Sequence, residues 1–192
     1  MREKETSRLV ITVSGPHGTG KSTYARALAD ALHLRYISAG ELFRELARKQ
    51  NLSLGAMSGR AAEDPAIDHM LEERTKNEAK KGNVVIDAQL AAWVAKDLAD
   101  AKVLLTASDN VRFKRIADRD HVTFEEARKQ TEYRESVQQS RYQKYYGIDV
   151  TDLSIYDVRI DTSLHPIEET KRIVIESVRR FLQERGKLNA PS

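Results

Sequence analysis

The chain has 192 residues, 40% hydrophobic and 32% charged, and its 32 basic and 29 acidic side chains leave a net charge of +3. That length builds one domain with a substantial core, and the composition is too apolar and too nearly neutral for a disordered chain. With no cysteine, disulfide scaffolds, thiolate metal sites and thiol catalysis are excluded; with no long apolar run or signal-peptide core, a cytoplasmic protein away from membranes is expected, and the mild charge does not argue for nucleic acid.

In chain order, short apolar runs alternate with helical patterns. Leu9-Val10-Ile11-Thr12-Val13 is a β-branched run suited to a buried strand. Ala25, Leu28, Ala29 and Leu32 follow at i, i+3, i+4, i+7, the spacing of an amphipathic helix. Tyr36-Ile37 is a weaker strand candidate, and Leu42, Phe43, Leu46 and Ala47 return to helical spacing. Asp64-Pro65 reads as a cap and first helical residue, with Gly82 closing that helix behind Lys80 and Lys81. Val84-Val85-Ile86 and Val103-Leu104-Leu105 are further strands. Thr123-Phe124-Glu125-Glu126 is a capping box opening a long polar helix that ends near Gly147. Val158-Arg159-Ile160 is a last strand, and Pro166 opens a helix with the apolar stripe Val174, Val178, Phe181 and Leu182. Strands alternating with helices predict an α/β fold with a parallel sheet covered on both faces. A single domain is expected over 8–185, between loose ends at 1–7 and 186–192.

Between the first strand and the first helix lies Gly15-Pro16-His17-Gly18-Thr19-Gly20-Lys21-Ser22, which satisfies G-x-x-x-x-G-K-[ST] in the context the motif requires. Polyphosphate concentrates charge, so its site needs donors that converge without side-chain bulk. Glycines let the backbone wrap the β-phosphate while N–H groups at the helix start point inward. Lys21 adds a mobile cation at the β/γ oxygens, the Ser22 hydroxyl is the expected Mg²⁺ ligand, and Thr23 follows it. ATP or GTP binding is therefore expected. Asp87, ending the strand Val84-Val85-Ile86, is placed to hold the waters of Mg²⁺, although a strand-ending Asp also caps ordinary turns.

No Asn-Lys-x-Asp segment for reading guanine is present. Arg112, Arg115 and Arg119 fall on one helix face, and Arg134 and Arg141 lie two turns apart on the capping-box helix. Arginines so arranged suit a lid that surrounds a migrating phosphoryl group and excludes water. The same spacing also fits a solvated, ion-paired surface.

Taken together, Ser14–Thr23, Ile37-Ser38-Ala39-Gly40-Glu41-Leu42-Phe43-Arg44, Gly82–Asp87, Arg115–Arg119 and above all Arg141-Tyr142-Gln143-Lys144-Tyr145-Tyr146-Gly147-Ile148-Asp149 resemble the nucleoside monophosphate kinases, most closely the archaeal-type cytidylate kinases. The resemblance implies a P-loop NTPase fold with a five-stranded parallel sheet, acceptor-binding helices over 38–82 and a helical lid over 112–147. It implies ATP as donor with Mg²⁺, CMP or dCMP as acceptor, and a monomer whose partners are small nucleotides. By the same analogy Arg44 binds the acceptor phosphate beside Ala39 and Gly40. Arg115 and Arg119 flank the donor, Arg134 and Arg141 close on the transferring group, and Asp161 and Thr162 sit by the donor base. Two departures stand out: Gln89 and Gln138 replace charged residues usual in the family, which leaves AMP open as an acceptor. A small-metabolite kinase and a nucleotide-dependent assembly or RNA-processing factor are the other readings. The five histidines show no metal-ligand spacing, and Tyr142, Tyr145 and Tyr146 are read as packing a helix end.

Overall fold

The structure is a computed structural model describing residues 8–189; of the loose ends expected at 1–7 and 186–192, residues 1–7 and 190–192 lie outside the described residues. Its elements run β1 (Val10–Ser14), α1 (Lys21–Leu32), β2 (Arg35–Ser38), α2 (Ala39–Lys49), α3 (Leu54–Glu63), α4 (Ala66–Lys81), β3 (Val84–Asp87), α5 (Ala91–Val94), β4 (Ala101–Thr106), α6 (Asp109–Asp120), α7 (Phe124–Tyr146), β5 (Val158–Asp161) and α8 (Ile167–Glu184). The strands form one sheet in the order β2-β3-β1-β4-β5, with every pairing parallel. This is the P-loop NTPase fold.

Alternation along the strands feeds two cores. Ile11 and Val13 of β1 join Val103 and Leu105 of β4 in packing against Leu28 of α1 and the stripe Val174, Val178 and Leu182 of α8. Val10, Val84 and Ile86 face the other way, onto Ala79 of α4 and Ala91 of α5. A smaller cluster of Phe43, Ala47, Met57 and Ala61 ties α2 to α3, and Ile116, Ala117 and Ala127 tie α6 to α7. The capping box at Thr123 is complete: its hydroxyl accepts from the Glu126 N–H and the Glu126 carboxylate accepts from the Thr123 N–H.

The expected strands are present with slightly different ends, and three features differ from expectation. The helix α3 has no counterpart in the sequence reading, because Gly55 and Gly59 interrupt its apolar pattern; Ser53 nonetheless caps it by accepting from the Ala56 N–H. The single turn α5 was likewise not anticipated. The chain beyond Gly186 does not leave the domain at once. The Lys187 ammonium lies 2.8 Å from the Asp100 carboxylate and Leu188 packs on the main core, so residues 186–189 belong to the fold. No helix among the described residues is long and apolar enough to cross a membrane.

Candidate active site

The parallel sheet delivers three strand ends to one edge. Register pairs Val13 of β1 with Asp87 of β3, and Asp87 with Ser38 of β2, so the turn after β1, the acid that ends β3 and the start of α2 converge there. Outside the carboxyl ends of the strands an α/β sheet opens its crevice, and here the cleft measures about 670 Å³. Its lining brings together Lys21, Ser22 and Thr23 of α1, Ala39, Gly40 and Arg44 of α2, and Arg115, Arg119, Arg134 and Arg141 of α6 and α7.

The turn from Gly15 to Gly20 is shaped by close approach. Gly15 has φ +146°, and a Cβ there would land on the Leu105 carbonyl oxygen; at Gly18, with φ +80°, it would come within 2.6 Å of the Arg112 carbonyl oxygen. Only residues without a Cβ let the loop pass these two backbones. Thr19 is fully buried and its hydroxyl donates to the Pro16 carbonyl at 2.9 Å, so it braces the loop from behind. Lys21 Nζ donates to the same carbonyl at 2.9 Å. Burial lowers the Lys21 pKa, opposed by the charges of Asp87 and Glu135.

Asp87, 3% exposed, collects hydroxyls: its Oδ2 accepts from Ser22 Oγ at 2.6 Å, Tyr36 OH at 3.0 Å and Ser38 Oγ at 3.2 Å. Burial, reinforced by the Asp87 charge, pushes the Tyr36 hydroxyl up to about 12. A carboxylate beside a serine hydroxyl is an oxygen donor set that suits Mg²⁺, which commonly takes one or two protein oxygens and completes its shell with water and phosphate. Among the described residues no cluster of three acidic, histidine or cysteine side chains could hold a metal unaided, so the ion would share its shell with a bound phosphate.

The arginines divide into committed and uncommitted cations. Arg115 donates to Thr162 Oγ1 at 2.9 Å and to the Thr162 carbonyl at 2.7 Å. Arg119 is paired with its neighbour Asp120. Arg134 has a buried Nε with no hydrogen-bond partner, and burial together with the charge of Arg119 lowers its pKa. An unpaired guanidinium held in a cleft is poised for an anion. Arg44 lines the same cleft.

Other expected residues take different places. Thr162 is fully buried and donates to the Thr19 carbonyl at 2.9 Å, so it joins β5 to the loop and does not line the cleft; Asp161 turns away to accept from Ser163. Arg141 lies 2.5 Å from the Asp68 carboxylate of α4 and donates to the Ser58 carbonyl of α3. Neither Arg141 Nε nor Asp68 Oδ2 has a well-directed hydrogen-bond partner, so this is a contact of charge with charge. It pins α7 to α3 and α4. Gln89 accepts from Tyr142 OH at 3.3 Å.

Sequence reading missed the latch from α7 to the loop after β1. The Glu135 carboxylate of α7 accepts from the His17 N–H at 2.9 Å and pairs bidentately with Arg112, which is 4% exposed, while Gln138 Oε1 stands 2.9 Å from His17 Nε2. Glu135 and Gln138 occupy one face of α7, but no pattern in the sequence says which partner that face meets.

A gluconokinase from Sinorhizobium meliloti superposes with TM-score 0.63 at 18% identity, over 95% of this chain and 98% of that one, which is a likeness of fold. The family model described as an AAA domain matches residues 11–136. A protein from Staphylothermus marinus named cytidylate kinase is 48% identical over 92% of this chain and 99% of its own length. This chain belongs to the cytidylate kinase family. A second cytidylate kinase, from Aeropyrum pernix, is 48% identical over 88% of this chain and 98% of that protein. As a cytidylate kinase homologue the chain is a nucleoside monophosphate kinase by family, with the cleft between loop and α2 as its candidate active site.

Proposed function

We propose that the protein transfers the γ-phosphoryl group of ATP to CMP, with dCMP as a second acceptor, acting as a monomer in the cytoplasm. The observation that carries this reading is that one cleft is lined by the glycine-rich loop with Lys21 and Ser22, by Arg44, and by the unpaired Arg134.

In this reading the loop Gly15–Ser22 takes the phosphate tail of ATP, with Lys21 leaving the Pro16 carbonyl for the β/γ oxygens. Ser22 and Asp87 would hold Mg²⁺, whose contribution is to offset charge on those oxygens. Arg44 holds the acceptor phosphate beside Ala39 and Gly40. Arg115 and Arg119 flank the donor, and Arg134 meets the migrating group. Arg141, committed to Asp68, positions the lid over the acceptor, with Gln89 on the same wall. The bond from the β,γ-bridging oxygen to Pγ breaks and takes its electrons to ADP, while an acceptor phosphate oxygen forms the new bond to Pγ. That oxygen is already ionised, so no general base is required.

The test is ADP formation from ATP and Mg²⁺ with CMP, dCMP, UMP, AMP and GMP in turn. CMP and dCMP should give the fastest turnover; ATP hydrolysis unaccelerated by any monophosphate would overturn the reading. Arg44→Ala should raise the KM for CMP far more than it lowers kcat, the mark of lost acceptor binding.

A further inference from the structure

Three hydroxyls meet on one oxygen of Asp87, and two of them have other duties. Ser22 belongs to the phosphate loop, and Ser38 caps α2, accepting from the Glu41 N–H at 3.2 Å. Tyr36 has no comparable task. Its ring lies on β2 two residues before Ser38, on the same face of the strand, and register pairs it with Val85, two residues before Asp87. The side chain is long enough to run along that face and set its hydroxyl 3.0 Å from Asp87 Oδ2.

The ring is also held in place. The Arg26 guanidinium of α1 lies 4.1 Å from the ring centroid, and Arg26 is in turn ion-paired with Glu41 in the first turn of α2. The hydroxyl is thus fixed at its base by the strand and across its face by a cation. No donor among the described residues engages Asp87 Oδ1. A carboxylate held by only one hydroxyl can swing about its Cβ–Cγ bond. One gripped on Oδ2 from both β2 and the start of α1 keeps Oδ1 free in a set direction, and Mg²⁺ tolerates little disorder in its octahedral shell.

We propose that Tyr36 is a positioning residue for the metal-binding carboxylate: its hydroxyl locks Asp87 by Oδ2 and leaves Oδ1 for the water shell of Mg²⁺. The proposal rests on Asp87 serving the metal, and partners that orient a metal ligand commonly change metal affinity ten-fold or more.

The experiment uses Mn²⁺ as the probe, with free Mn²⁺ read by electron paramagnetic resonance during titration of the full chain saturated with ADP. Tyr36→Phe keeps the ring and its contact with Arg26 and removes only the hydroxyl. It should weaken Mn²⁺ binding roughly ten-fold, leave metal-free ADP affinity unchanged, and raise the Mg²⁺ concentration needed for half-maximal turnover without moving the KM for CMP. Asp87→Asn is measured in parallel. If Asp87→Asn weakens Mn²⁺ binding and Tyr36→Phe does not, Tyr36 has no positioning role, while the metal reading stands. If Tyr36→Phe acts and Asp87→Asn does not, the tyrosine works by another route and the proposal is overturned. If neither variant changes Mn²⁺ binding, Asp87 does not serve the metal and both readings fail. Loss of metal-free ADP affinity with unaltered Mn²⁺ binding would mark Tyr36 as packing alone.

Discussion

Around Gly15–Ser22 the chain is shaped by backbone geometry: two glycines pass neighbouring carbonyls that no side chain could clear, and a buried threonine ties the loop to itself. Helix α7 adds charge to its apolar contact with α6, with Glu135 at its middle on buried Arg112 and buried Arg141 nearer its C-terminus on Asp68. A phosphate site needs its amides fixed before the ligand arrives, whereas a helix that lines the cleft, as α7 does, has to hold its place and still let a ligand in. Directional bonds to the backbone suit the first demand, and side-chain ion pairs, bidentate at Arg112–Glu135 and without a directed bond at Arg141 Nε–Asp68 Oδ2, suit the second.

Variants can break or sharpen that contrast. The largest effect is expected at Asp68→Ala, which strands the Arg141 guanidinium in a buried site and should cost about 3–5 kcal/mol in urea denaturation; a variant as stable as wild type would show that the docking of α7 does not depend on this pair. Lys21→Ala should do the opposite, lowering kcat by roughly 100- to 1,000-fold while leaving the denaturation midpoint near wild type. If turnover stayed within ten-fold, the loop would not be acting on the transferring group. Replacing both partners, Asp68→Leu with Arg141→Met, should recover most of the stability lost by Asp68→Ala, because no charge is left unpaired. The smallest effect concerns His17, whose pKa is held well below 6.5, chiefly by burial and then by the charge of Arg134. The unfolded chain takes up a proton near pH 6.5 that the folded state refuses, so stability is complete above that pH and declines as pH falls below it. His17→Gln should flatten this decline, which is at most about 1.4 kcal/mol per pH unit; parallel curves for the two proteins would refute the buried, neutral histidine.

The cradle was legible because every requirement on it is local. A strand, a glycine-rich turn, Lys21 and a helix start are consecutive in the chain, and Asp87 announced itself by ending the strand Val84–Ile86. The segments around Arg44 and Arg141 were legible by resemblance, though only the fold revealed that Arg141 is taken up by Asp68. The helix α3 was obscured by Gly55 and Gly59, whose poor propensity is outweighed by packing of Met57 and Ala61 against Phe43 and Ala47. Thr162, expected beside a ligand, proved to be a buried tie between β5 and the loop.

By itself, then, the sequence determined the alternation of strands and helices, the phosphate loop and the chemistry of its cations, because periodicity and motif act over a few residues. Only the tertiary structure decided which charges are spent and which are available. Arg112, Arg115, Arg119, Arg134 and Arg141 look alike along the chain, yet only Arg134 retains an unpartnered buried nitrogen in the cleft without a carboxylate in contact. Whether a cation is free depends on neighbours brought from distant segments and on how far burial raises the cost of leaving it alone.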